Sequence, residues 1–357
     1  MAKYRINIAL WQVPTMVVNS GNVAKDGHQR ALLNTMASQS LDERMALLRK
    51  RLGKADAFFR STPVPAKHSS VTVFAAPEYL FARNAAEHFI SQKDKDQLFD
   101  ELLTLSADFP HVVLFPGTIA WKKAAVGPDD PLYPLLSARG QKARLQRETG
   151  GSSIYSDKDI KAFEQAQDRN ELYYLARNTC YVMHNGEAVL KYHKRDNGGE
   201  TNRATDGEDV FFVHGARDGV FQAAGLSFGL KICAEVRTAL TRLVDVQVVI
   251  SASSPVTPGD MQLRPGGYCC HADAIRPPTV WHKTKGSWRK SGVIEEVTAD
   301  VLRRGGGPMS RHRAAQRITH ALSFQANPSL DPSSDTYAEK ITEMRGRTRY
   351  YRLDYEK

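Results

Sequence analysis

The chain has 357 residues, 41% hydrophobic and 25% charged, the balance of a globular protein with enough apolar material for a large core. Its net charge of +10 favours polyanionic partners, yet it carries none of the sequence signatures of a nucleic-acid-binding module. Cys180, Cys233, Cys269 and Cys270 have neither the number nor the spacing of a disulfide framework or a zinc site, and no apolar run approaches the ~20 residues of a membrane span.

In chain order, the opening "MAKYRINIALWQV" places Arg5 and Asn7 where a signal peptide needs an unbroken apolar core, so 6–13 is predicted as a first strand. The expectation that follows is a soluble, cytoplasmic protein of one domain over 1–357. "LDERMALLRKRLGKADAFFR" (41–60) repeats its apolar residues at helical spacing, and "QLFDELLTLSA" (97–107) does the same. Between and after them lie strand-length runs, "VTVFAAPE" (71–78) and "HVVLFPGTIA" (111–120). "NTCYVMHNGEAVLKYHK" (178–194) holds Asn185-Gly186 between two such runs, a strong hairpin signal. "LSFGLKIC" (226–233) and "VDVQVVISASS" (244–254) are further strands, with "VRTALTRLV" (236–244) predicted as a helix between them. Several runs are apolar throughout, as strands covered on both faces are, and the alternation indicates an α/β class.

Two stretches interrupt that rhythm. Residues 122–172 are polar, with Pro128, Pro131 and Pro134 near the start, and read as a loop insertion containing one polar helix at 157–176. Residues 282–357 read as a basic irregular segment and C-terminal extension. Lys283, Lys285, Arg289, Lys290, Arg303, Arg304, Arg311, Arg313 and Arg317 gather there around Gly305-Gly306-Gly307.

In α/β sheets the strand ends present the working groups. Three predicted strands finish on reactive side chains: Glu78 in "VFAAPEYLF", Lys194 in "VLKYHKRD" and Cys233 in "GLKICAEVR". Brought together, a carboxylate, an ammonium and a thiol make a nucleophilic site in which base, cation and sulfur are all supplied. Taken singly, each also fits a turn glutamate, a solvent-facing lysine or a core thiol, and the residues alone leave both readings open. Cys269 and Cys270 beside His271 suggest a metal, but neighbours on a strand point to opposite faces, so they are expected to be structural and no metal site is predicted.

In order and local context these segments resemble the nitrilase superfamily, the carbon–nitrogen hydrolases with a Glu-Lys-Cys triad. The family's glutamate follows a strand in a "PE-aromatic" setting, here "APEYLF"; its lysine closes a hairpin, here "YHK"; its cysteine follows a strand, here "GLKICAEVR". "ETNRATDGED" offers Glu200 as the family's second active-site glutamate, and "VVISASSP" resembles the strand ending in a small-residue turn near the site. The resemblance runs over 4–255. It implies an α-β-β-α sandwich of two stacked mixed sheets between helix layers, usually a homodimer or higher homo-oligomer. It further implies hydrolysis of an amide or nitrile through a covalent thioester or thioimidate, releasing ammonia or an amine, with no metal or organic cofactor. By the same resemblance Glu78, Lys194, Cys233 and Glu200 are catalytic, and Tyr79, Ala234, Glu235, Arg237 and Ser254 bind substrate. Ala234 stands where the family usually has an aromatic residue, Glu235 where aspartate is more common and His193 where arginine is. With the 122–172 insertion near the pocket mouth and the basic surface, these departures allow an acidic or macromolecular substrate besides a small amide or nitrile. The alternatives are an acyltransferase of the same superfamily, or a catalytically silent protein that binds a polyanion through its basic surface.

Overall fold

The computed structural model describes residues 2–13, 15, 39–61, 63–82, 89–124, 161, 173–195, 209–252, 254–274, 276–284, 287–291, 295–297 and 347–357. The strands are β1 (Lys3–Gln12), β2 (His68–Ala75), β3 (Ile90–Ser91), β4 (Val112–Phe115), β5 (Ile119–Ala124), β6 (Tyr173–His184), β7 (Glu187–His193) and β8 (Asp209–Phe212). They continue with β9 (Val220–Ala223), β10 (Leu226–Ile232), β11 (Val244–Ser251), β12 (Leu263–Asp273), β13 (Thr279–Thr284), β14 (Ser287–Lys290), β15 (Glu295–Val297) and β16 (Arg347–Glu356). The helices among these residues are α1 (Leu41–Arg60) and α2 (Gln92–Asp108).

Strand β1 shows the logic of the fold. Ile6, Ile8 and Leu10 point to one side and Ala9 and Trp11 to the other, and both sides are buried, which is why the run is apolar rather than alternating. The first side meets the same alternate positions of β2 (Val71, Val73) and, from the facing sheet, Phe228, Leu230, Val246 and Val248. The other side receives Leu48 and Leu52 of α1 and Leu98 and Leu102 of α2. Ser40 and Ser91 cap these helices, each accepting from the third helical N–H while Glu43 or Asp94 answers the cap's own N–H.

The first sheet runs β15-β16-β1-β2-β4-β6-β5-β3, with β7 and β8 also paired to β6; the second runs β14-β13-β12-β11-β10-β9. Both mix parallel and antiparallel pairs. The protein is therefore an α/β fold of two stacked mixed sheets with helices on the outer face of the first. The outer face of the second sheet is covered, among the described residues, by Val236 and Leu240 from a 3-10 turn and the coil after it, and by Met261 just past a second 3-10 turn, Pro258–Asp260.

That covering differs from the helix predicted at 236–244. The 3-10 turn spans Cys233–Arg237, and Thr238 is already extended. Leu240 drops onto Gly229 of β10, where a Cβ would collide with its side chain, so the apolar spacing is satisfied without a helix. The run 111–120 is two strands, β4 and β5, parted by a turn with Gly117 at φ +84°. The polar helix expected at 157–176 lies outside the described residues, apart from Lys161 and from 173–176, which open β6. The rest of the 122–172 insertion is likewise outside, save 122–124 in β5.

The stretch expected to be irregular, 282–357, is corrected in its described part: it supplies the end of β13 and all of β14, β15 and β16. β16 pairs with β1 residue for residue, from Lys3↔Glu356 to Gln12↔Arg347, and sets Tyr351, Leu353 and Tyr355 against the inter-sheet core. Cys270 faces that core and Cys269 the outer cluster, as neighbours on a strand must. No helix among the described residues is long and apolar enough to cross a membrane.

Candidate active site

Strands β1, β2 and β4 are mutually parallel, as are β10, β11 and β12, so each sheet gathers several C-terminal strand ends. Glu78 lies just past β2, Thr118 past β4, Cys233 at the end of β10 and Ser254 past β11. Lys194 directly follows β7, the return strand of the hairpin, whose turn residues Asn185 and Gly186 both have positive φ, as a two-residue hairpin turn of this kind requires.

Glu78 is fully buried and Lys194 is 1% exposed. Lys194 Nζ donates to Glu78 Oε1 at 2.7 Å, and Asn178 Nδ2 donates to the same oxygen at 3.0 Å. Two charges taken out of water in this way hold only as a pair with further hydrogen bonds. The main chain around them is equally constrained. Thr15 Oγ1 donates to the Glu78 carbonyl, Tyr79 N–H donates to Thr118 Oγ1 at 2.8 Å, and a Cβ on Gly117 would strike the Pro77 carbonyl. Lys194 N–H donates to Asn178 O at 2.8 Å, and Gly215 N–H donates to Lys194 O at 2.9 Å. Tyr79 presents its ring to the ammonium, 5.6 Å from centroid to Nζ, with its hydroxyl at 3.5 Å.

Cys233 is partly exposed and has φ +50°, in the left-handed region that non-glycine residues seldom occupy. Its Sγ lies 3.0 Å from Ser254 Oγ and accepts from the backbone of Ala252. Burial pushes the thiol up to about 12 and the charge of Glu78 pushes the same way, while Lys194, Ser254 and the Ala252 N–H draw it back. Sulfur, carboxylate and ammonium thus act on one another across the meeting of the two sheets. The Glu78 carboxylate stands within electrostatic reach of the Cys233 sulfur.

Glu235, expected to touch substrate, is instead enclosed. Its Oε2 accepts from Ile232 N–H at 2.9 Å and from Tyr192 OH at 3.0 Å, and its Oε1 accepts from the backbone of Arg195. It ties the turn that carries Cys233 to the strand end that carries Lys194. Burial raises its carboxyl to about 7, against the pull of Arg195 and Ile232 N–H, Lys194 and Tyr192. Ala234 and Ser254 are partly exposed beside the thiol, and Arg237 is exposed. Glu200 lies outside the described residues. Asn178, Thr118, Tyr192 and Ala252 escape the sequence reading. Plain folding about Asn185-Gly186 would set Asn178 opposite His193; a bulge between Val182 and Met183 shifts the register by one and brings Asn178 to Lys194, so no local signal marked it. Among the described residues no three His, Cys, Asp or Glu side chains converge to hold a metal ion.

No family model and no curated protein sequence matches the chain. In fold it is similar to a cysteine-to-alanine mutant of an amidase from Nesterenkonia AN1, of the nitrilase superfamily (TM-score 0.38, 11% identity, 81% of this chain and 85% of that one). A glutamate-to-glutamine mutant of that amidase, with the acetamide moiety of fluoroacetamide added covalently at its active-site cysteine, also matches (TM-score 0.34, 12% identity, 78% and 82%). A third is the glutamine-dependent NAD+ synthetase from Acinetobacter baumannii (TM-score 0.41, 9% identity, 86% of this chain and 49% of that one).

Proposed function

We propose that this protein is a cysteine-dependent carbon–nitrogen hydrolase acting on an amide or a nitrile. Cys233 Sγ attacks the substrate carbon while Glu78 takes the thiol proton. With the thiol held near 12, deprotonation accompanies attack rather than preceding it. Lys194 Nζ and the N–H of Ala234, among the first donors of the 3-10 turn, face the negative charge that develops on the substrate oxygen or nitrogen. For an amide, the carbon–nitrogen bond then breaks as Glu78 returns its proton to the leaving amine, and water, deprotonated by Glu78, cleaves the thioester. Glu200 is assigned to placing substrate or water.

One observation carries the reading: a buried ion pair, Glu78–Lys194, acts on a thiol held at a strand end in a left-handed backbone. A panel of primary amides, substituted amides and nitriles, followed by ammonia or amine release and by intact mass, tests it. Turnover of a panel member with an acyl adduct on Cys233, both absent from Cys233→Ala, is the expected result. Turnover retained by Cys233→Ala would remove the nucleophile.

A further inference from the structure

One residue beyond Ser254 the chain leaves the thiol and enters the wall of a cavity of about 430 Å³, within the range of small-molecule sites. Pro255 and Val256 form one wall; His271, Arg276, Trp281, Lys290, Arg349 and Tyr351 are among the others. The cavity is built from both sheets. Arg349 Nη1 and Tyr351 OH of β16 donate to Pro278 O at 2.9 and 3.0 Å, which locks the last strand of the first sheet across the β12–β13 connection of the second. Asp273 Oδ1 accepts from Arg276 N–H at 2.6 Å and folds the turn that brings Arg276 to the rim. Lys290 Nζ sits 5.0 Å from the Trp281 ring centroid.

The charge of this lining is one-sided. Two arginines and a lysine contribute to it and, among the described residues, no carboxylate does. The nearby Asp273 is buried and held by its neighbours, its oxygens accepting from Ser251 Oγ and Arg276 N–H and lying 3.5 Å from His271 Nε2. Thr279 and Ser291 add hydroxyl groups, and Trp281 and Val280 add apolar surface. Like charges gathered around a concave site attract a counter-ion there. We propose that the cavity binds a small organic or inorganic polyanion bearing phosphate or carboxylate groups, with Arg276, Lys290 and Arg349 as counter-charges and Trp281 as the apolar wall. The assignment is independent of the reaction proposed for Cys233.

The full chain is titrated with inorganic pyrophosphate, citrate and glycerol at constant ionic strength, by calorimetry and by tryptophan fluorescence. Saturable one-site binding of pyrophosphate or citrate, and none of glycerol, is expected; whichever anion binds more tightly tells a phosphate site from a carboxylate site. The exposed pair Arg276→Ala/Lys290→Ala should weaken binding roughly tenfold or more with melting temperature kept. Trp281→Phe should bind but lose the fluorescence change. Failure of both anions to saturate at millimolar concentration, or affinity untouched by the double substitution, overturns the assignment.

Discussion

Replacing Glu78 by Gln is expected to make the Cys233 thiol react faster with iodoacetamide while it cuts turnover. In the native protein the thiol is raised from an ordinary 9.0 to about 12, with burial the largest cause, the Glu78 charge the second, and Lys194 opposing both. Three pH units cut the thiolate fraction at neutral pH about a thousandfold, and the higher basicity returns roughly 16- to 30-fold in nucleophilicity, leaving alkylation about 30 to 60 times slower than at an ordinary thiol. Glu78→Gln removes an opposing charge and leaves Lys194 in place, so alkylation accelerates and its pH midpoint moves down. Lys194→Met does the reverse. Turnover falls in both, by about 10²- to 10⁴-fold for loss of a general base and ~10²- to 10³-fold for loss of a charge-stabilising donor. Intact mass after timed alkylation measures the rate. Cys180, Cys269 and Cys270 are buried and Cys233→Ala supplies the blank. If folded Glu78→Gln alkylates no faster than the native protein, the carboxylate does not face the sulfur and its role as base falls with it.

Three further outcomes follow from the same geometry. Lys194→Met strands a fully buried carboxylate and should cost about 3–5 kcal/mol in urea unfolding, whereas Lys194→Met/Glu78→Gln should recover most of that loss; additive single costs would show that the pair is not coupled. Glu235 binds its proton more tightly folded (about 7) than unfolded (4.5), so its contribution is full below pH 4.5 and is lost as pH rises through 7, about 3 kcal/mol across that window. The stability difference between the native protein and Glu235→Gln should therefore fall by that amount from pH 4.5 to above 7, and a flat difference would mean that Glu235 is ionised throughout. At φ +50°, Cys233→Gly should be about 1 kcal/mol more stable than Cys233→Ala by thermal melting, the opposite of the usual order.

The parts of this molecule legible in the sequence are those whose signal is local. β1, β2, β10 and β11 announce themselves as short β-branched runs, and the reactive residue stands at or just beyond the run, which is how Glu78, Lys194 and Cys233 come to notice. Asn185-Gly186 fixes the hairpin because only a left-handed pair closes it. β12 is hidden for the converse reason. Pro265-Gly266-Gly267 reads as a turn, yet the chain passes through it within a strand, with Gly266 at φ +82° and the register against β11 shifting between Val244 and Val246. β16 carries an alternating pattern in Tyr351, Leu353 and Tyr355, but its partner is the first strand of the protein, and nothing in a run of ten residues names a partner at the other end of the chain.

Glu235 shows where local reading stops for the site itself. Beside a cysteine it looks like a group for substrate. Its chemistry is decided by Tyr192 and the Arg195 N–H, some forty residues earlier, which only the packing of one sheet on the other brings to it. The same packing explains why two non-glycine residues, Tyr79 and Cys233, accept left-handed backbone conformations that disfavour an L side chain by about 1–2 kcal/mol each. Each is held from outside its own turn: Tyr79 by Thr118, and the Cys233 turn by Ser254 and, through Glu235, by Tyr192 and the Arg195 N–H. Strain imposed at both the carboxylate and the thiol ends of one cluster, by ties that cross between strands, is what a preset arrangement requires and what a merely packed core would relax.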